Sequence, residues 1–162
     1  MIILGIDPGI AIVGYGVLET DGRFHRAIDA GVINTPAGLK TPERLEIINK
    51  GLNEIIDKFK PDAIAMEEIF FNTNQKTAIT VAEARGVIIL TSFLKCRNLY
   101  EYTPLQIKQA LTGYGRADKK QIQTMVAKLL KLSKIPKPDD AADALAVALT
   151  HAQSKHIEEF RI

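Results

Sequence analysis

Four carboxylates are spaced along the chain so that one fold can bring them together. Asp7 ends the apolar run Ile2-Ile3-Leu4-Gly5-Ile6, and Glu67 ends a second, Ala63-Ile64-Ala65-Met66. Short apolar runs closed by polar or turn-forming residues, here Asp7-Pro8-Gly9 and Glu67-Glu68, read as strands buried on both faces. A carboxylate at the end of such a strand lies where an α/β sheet opens a crevice. Taken alone, Asp7 suits a simple turn cap equally well; the second segment with the same pattern shifts the balance toward a shared site. Strand side chains alternate, so Asp7 shares a face with Gly5 and Ile3, and Glu67 shares one with Ala65 and Ala63. Asp140 and Asp143, within Asp139-Asp140-Ala141-Ala142-Asp143-Ala144, are three apart and lie on one helix face. The helix dipole favours acids in a first turn, which accounts for Asp139 and Asp140 and less well for Asp143. The alanines give this helix a thin face that can lie on Gly5 and Ala65, where the four acids converge. Such a cluster repels itself, and hard oxygen donors of this kind hold Mg²⁺ or Mn²⁺. Two ions about 4 Å apart can activate a water and stabilise a leaving oxygen in phosphodiester hydrolysis.

The elements that must position these acids follow from periodicity. After Asp7 come a strand over 13–20, a hairpin signal at Asp21-Gly22, and a third strand over 24–35 in which Gly31 suggests a bulge. Thr41 and Pro42 open a helix whose Leu45, Ile48, Leu52, Ile55, Ile56 and Phe59 form one apolar stripe, ended by Pro61. A helix over about 77–95 carries Ala78, Ala82 and Gly86 four apart, a strip that lets another helix approach closely. A short strand over 99–103 precedes three helices, over about 104–111, 118–132 and 139–151. The order β-β-β-α-β-α-β-α-α-α predicts an α/β fold: a five-stranded mixed sheet, an antiparallel meander extended by parallel strands, flanked by helices. Strands one and four are then parallel neighbours, which sets Asp7 beside Glu67.

Size and charge narrow the partners. A chain of 162 residues fits a single domain over 1–162 with a real core. No apolar run approaches the roughly 18–20 residues that span a bilayer, and no basic stretch precedes the first apolar run, so neither a membrane span nor a signal peptide is expected. The lone Cys96 excludes an internal disulfide and fits a reducing cytoplasm. Between Pro104 and Pro138 stand Lys108, Arg116, Lys119, Lys120, Lys128, Lys131, Lys134 and Lys137 against Asp118 alone, a net +7 that leaves −5 on the rest of a +2 chain. A basic segment feeding an acidic centre suits a polyanion held against bound cations; as a charge run alone it suits a solvated helix face. His25, His151 and His156 have no ligand-like spacing and read as structural or surface residues.

These motifs resemble the RuvC family of Holliday junction resolvases, within the ribonuclease H-like fold. The resemblance rests on Leu4-Gly5-Ile6-Asp7-Pro8-Gly9 followed by Gly14-Tyr15-Gly16-Val17, on Met66-Glu67 with Phe70, on Glu83-Ala84-Arg85-Gly86, and on Asp140-Ala141-Ala142-Asp143-Ala144-Leu145-Ala146. The first motif alone also opens actin-like ATPases and YqgF-type nucleases; the ordered set is specific and covers nearly the whole chain. The resemblance implies Asp7, Glu67, Asp140 and Asp143 as the catalytic and metal-binding quartet for two Mg²⁺, with Mn²⁺ as a substitute. It implies a homodimer, formed through the helix with Ala78, Ala82 and Gly86, that makes paired symmetrical nicks with 5′-phosphate and 3′-hydroxyl ends in four-way junction DNA. It points to Phe70, Lys108 and Lys119 as DNA contacts, with Arg116 and Lys120 as additions from the basic segment and Phe71 left to the core. The RuvA–RuvB branch-migration complex is the implied partner. A sugar-kinase-like ATPase needs two such domains and does not fit 162 residues; a non-cutting junction scaffold and a YqgF-like nuclease acting on RNA are the other readings.

Overall fold

A computed structural model describes residues 1–69, 75–154 and 157–162. Three antiparallel strands, β1 (Ile2–Asp7), β2 (Ile12–Thr20) and β3 (His25–Asn34), lead to helix α1 (Thr41–Phe59). Then follow β4 (Ala63–Glu67), α2 (Gln75–Lys95), β5 (Leu99–Tyr102), α3 (Pro104–Thr112), α4 (Lys119–Leu129) and α5 (Asp139–Gln153), with a 3₁₀ turn at Ile157–Phe160. The sheet runs β3-β2-β1-β4-β5, with β1 parallel to β4 and β4 parallel to β5, the mixed topology expected from the element order. Among the described residues no helix is long and apolar enough to cross a membrane.

Alternation along β1 divides the core. Leu4 and Ile6 face α1 and α2, packing with Ile48, Leu52, Ile56, Met66, Ala84 and Ile88. Ile3 faces the other way, with Ala63 and Ala65, into a layer built by α5, α3 and α4. The even side of β1 is therefore a conventional hydrophobic layer, and the odd side carries Asp7. Asp62 fixes the β1–β4 pairing at its start: its carboxylate accepts from the Ile2 N–H at 2.6 Å and its own N–H donates to the Ile2 carbonyl at 2.8 Å.

Two local expectations change. Lys40, not Thr41, is the residue before the first turn of α1, because Glu43 reaches back to accept the Lys40 N–H at 2.8 Å. The bulge falls at Ile28, which has no ladder partner between the pairs Val17↔Asp29 and Leu18↔Ala27. Gly31 instead lies under the Tyr15 ring, where an added Cβ would stand 2.8 Å from the phenolic oxygen. Ring packing, not a break in the ladder, is what requires glycine there.

The expectation that His151 is structural agrees with its place in the fold. It is 1% exposed on α5, its Nδ1 lies 2.8 Å from the Tyr102 hydroxyl, and its ring packs tilted against that of Tyr100 with centroids 4.4 Å apart. Burial pushes its pKa from 6.5 down to about 4. The unfolded chain takes up this proton near pH 6.5 and the folded chain only near 4, so the contribution is intact above 6.5 and is lost as the pH falls through that window. Between pH 6.5 and 4 the wild type should lose about 3 kcal/mol more stability than His151→Gln. Urea melts at the two pH values check this, and equal slopes for both proteins would contradict it.

Candidate active site

The elements that carry the carboxylates come together because α5 lies directly on glycine. An added Cβ would stand 2.1 Å from the Asp140 carbonyl oxygen at Gly14, 2.1 Å from the Ala144 carbonyl oxygen at Gly5, and 2.7 Å from the Leu145 nitrogen at Gly16. No side chain larger than hydrogen fits beneath the helix at these points, so α5 sinks onto β1 and β2 backbone to backbone. Gly14 is the ladder partner of Asp7, which sets the first turn of α5 beside Asp7. The parallel register continues from Ile6↔Met66, so Glu67 follows on the next strand. The contact with Gly5 and Ala65 was legible in the sequence. Gly14 and Gly16 were missed as helix seats, although their alternation with Tyr15 was a signal for them.

The electrostatics record this convergence. Burial raises the Asp7 pKa from 3.8 to about 7, with Glu67, Asp143 and Asp140 each adding repulsion. Glu67 is raised by burial and then by Asp143, and Asp143 by burial in spite of Lys119. Glu67, Asp143, Lys108 and Lys119 line one cavity of about 190 Å³, floored by Ile107, Ile122 and Ala146. Lys119 Nζ lies 2.9 Å from Asp143 Oδ2 and 3.8 Å from Asp139 Oδ2. Asp139 is also held at 2.6 Å by Lys137, whose hydrogen bond keeps its carboxyl below the usual range. Glu68 stands apart, lining a different recess with Ile69, Ala82 and Arg85.

Among the described residues, no three His, Cys, Asp or Glu side chains are drawn close enough to hold an ion as they stand. The donor set nonetheless fits a divalent cation. It is all oxygen, half-buried and mutually repelling, and a hard cation relieves that repulsion. If Asp7 is one of the residues that hold such an ion, proton and metal compete for it. Below its pKa of about 7 the carboxyl is protonated, so divalent-ion affinity should fall about tenfold from pH 8 to pH 6. Calorimetric titration with Ca²⁺ across that range checks this, and a flat profile would remove Asp7 from the ligand set.

The other expected contacts separate. Lys108 and Lys119 flank the acids. Lys120 lines a separate groove on the outer face of α4, with Tyr114, Met125 and Lys128. Arg116 is exposed on the loop between α3 and α4. Phe70 and Phe71 lie outside the described residues. The α2 strip is open: Ala82 and Gly86 are exposed, and an added Cβ at Gly86 meets nothing within 4 Å. Ile79, Leu90 and Leu94 on the same helix are 70%, 60% and 65% exposed.

Known proteins match nearly the whole chain. The family profile described as crossover junction endodeoxyribonuclease RuvC matches residues 3–151. The crossover junction endodeoxyribonuclease RuvC of Clostridioides difficile is 56% identical over 159 residues, covering 98% of this chain and 94% of its own length. The structure of Thermus thermophilus RuvC in complex with a Holliday junction substrate superposes with a TM-score of 0.92 at 36% identity, covering 99% of this chain and 98% of that one. A yeast mitochondrial Holliday junction resolvase, 16% identical with a TM-score of 0.70 over 98% of this chain and 81% of its own, shares the fold. On sequence and structure together, the chain belongs to the RuvC family of crossover junction endodeoxyribonucleases, metal-dependent nucleases with the ribonuclease H-like fold.

Proposed function

We propose that this chain, a single nuclease domain, resolves four-way DNA junctions as a homodimer by paired symmetrical nicks in recombination and repair. Asp7, Glu67, Asp140 and Asp143 are the ligands of two Mg²⁺, for which Mn²⁺ can substitute. The observation that carries this reading is the seating of Asp140 on Gly14, the ladder partner of Asp7. Bound there, the ions supply an activated water and charge stabilisation for phosphodiester hydrolysis, leaving 5′-phosphate and 3′-hydroxyl ends.

The chain's own residues do the rest. Lys108 and Lys119, which line one cavity with Glu67 and Asp143, attract the phosphate and hold it over the carboxylates. Arg116 and Lys120 extend positive charge beyond the cavity along the backbone. Phe70, which follows β4 in the chain, stacks on a base unpaired at the branch point, worth about 1–3 kcal/mol. RuvA–RuvB remains the proposed source of branch migration, and the cytoplasm the proposed compartment. The RuvC of Thermus thermophilus, solved with a Holliday junction substrate, supports the choice of a branched DNA substrate over structured RNA.

The α2 face supports the dimer. Ile79, Ala82, Gly86, Leu90 and Leu94 recur at helical spacing and are exposed, a stripe that another copy of α2 can cover. Leu90→Asp should give a monomer by sedimentation and turn paired nicks into single unpaired ones. A dimeric Leu90→Asp protein that still cuts in pairs would put the interface elsewhere.

A further inference from the structure

We propose that Lys119 is a built-in counter-cation of the acidic cluster, displaced from Asp143 when a divalent ion loads and thereby released toward the substrate phosphate. This rests on the reading of Asp143 as a metal ligand. Three observations support it. The Lys119 ammonium lies 2.9 Å from Asp143 Oδ2, and among the described residues it is the one cation in salt-bridge contact with that carboxylate. Asp139, its second contact at 3.8 Å, has Lys137 at 2.6 Å and keeps a partner when Lys119 leaves. The Lys119 side chain is 57% exposed, so its way out of the cluster is open.

The backbone confines this motion to the side chain. Lys119 opens α4 immediately after Asp118, whose carboxylate accepts from the Gln121 N–H at 2.8 Å while Gln121 accepts from the Asp118 N–H at 2.9 Å. That reciprocal cap pins the start of the helix, and the four-carbon stem of the lysine supplies the reach. A divalent ion on Asp143 and an ammonium on the same oxygen repel at such range, so the two occupants exclude one another. The displaced ammonium stays within a cavity that it already lines beside Lys108 and Glu67. There, with Asp143 and Glu67 neutralised by the bound ions and Asp139 paired to Lys137, an incoming substrate phosphate is the anion left for it. Metal loading and grip on the backbone are then linked, and by reciprocity the phosphate favours the loaded state.

The test is calorimetric titration of Ca²⁺ into the full-length protein at pH 8 without DNA, comparing wild type, Lys119→Met and Lys119→Arg. Removing the competing ammonium should tighten Ca²⁺ binding about three- to tenfold in Lys119→Met. Lys119→Arg keeps the pair and should bind as wild type does, which separates loss of the cation from a folding defect. Junction binding supplies a second readout. On adding Ca²⁺, the slope of log affinity against log salt should steepen in wild type by about one unit more than in Lys119→Met, as the released ammonium neutralises one further phosphate. Equal or weaker Ca²⁺ binding by Lys119→Met overturns the competition, and equal slope changes overturn the release. A wild type that binds no divalent ion overturns instead the metal-site reading beneath it.

Discussion

Asp7→Asn should abolish cleavage while making the protein more stable. Asp7 is half-buried among Glu67, Asp140 and Asp143, with its pKa raised to about 7. Above that pH, folding ionises a carboxylate in surroundings that resist the charge. The sign is opposite to that of a paired acid: the folded chain holds its proton to higher pH than the unfolded chain, so the penalty is full well above pH 7 and disappears as the pH falls toward 3.8. Asn keeps the shape and removes the charge. In EDTA at pH 8 the variant should gain about 2–4 kcal/mol, or roughly 5–15 °C in melting temperature. Cleavage should fall about a thousandfold or more, since a metal ligand contributes several kcal/mol of transition-state stabilisation. Junction affinity should hold or rise, because one negative charge facing the phosphate is gone. Thermal melts, gel-shift titration and single-turnover cutting read the three effects separately. A variant that cuts at the wild-type rate removes Asp7 from the mechanism; one with an unchanged melt means that burial and the neighbouring acids do not penalise the Asp7 charge.

The second large effect is steric. Gly14→Ala adds one methyl group, and its carbon would stand 2.1 Å from the Asp140 carbonyl oxygen and 2.6 Å from the carbonyl carbon. Both obstacles are helix backbone, which cannot rotate aside, so the first turn of α5 must lift from β2. Overpacking of this kind costs about 1–3 kcal/mol of stability. A displacement of about 1 Å at Asp140 should cost cutting a further hundredfold or more. Gly86→Ala is the matched control. It sits in the interior of α2 with nothing within 4 Å of the added carbon, so the alanine should stabilise the isolated fold by about 0.5–1 kcal/mol. The same substitution thus has opposite signs at two glycines 72 positions apart in sequence. Wild-type cutting by Gly14→Ala would mean that the acids do not depend on the seat of α5.

Much of this site is legible in the sequence because its logic is periodic. The alternation of Ile3, Gly5 and Asp7 puts a small residue before an acid on one face, and Ala63, Ala65 and Glu67 repeat it. Parallel pairing of β1 with β4 then brings the acids side by side, and the Ala-rich turn with Asp140 and Asp143 has one thin face to offer. What stayed hidden depends on contacts between elements remote in sequence. The ion pair of Lys119 with Asp143 joins the starts of two helices across a cavity, and nothing in either segment alone encodes it. Lys119 and Lys120 are adjacent in the chain and equal in charge, yet a helix turns them to different grooves. The cap of α1 shifted by one residue because Glu43 could reach the Lys40 N–H, a competition that residue preference at Thr41 does not reveal. The bulge lies at Ile28, and Gly31 is instead explained by the Tyr15 ring that packs over it.

Junction specificity and metal dependence are tested together by cleavage of a synthetic mobile four-way junction beside linear duplex of the same sequence, with Mg²⁺ or with EDTA. Paired nicks at symmetrical positions are expected on the junction alone and with Mg²⁺ alone, with ends that DNA ligase can reseal. Cutting in EDTA, or equal cutting of the linear duplex, would overturn the reading of this chain as a metal-dependent junction resolvase.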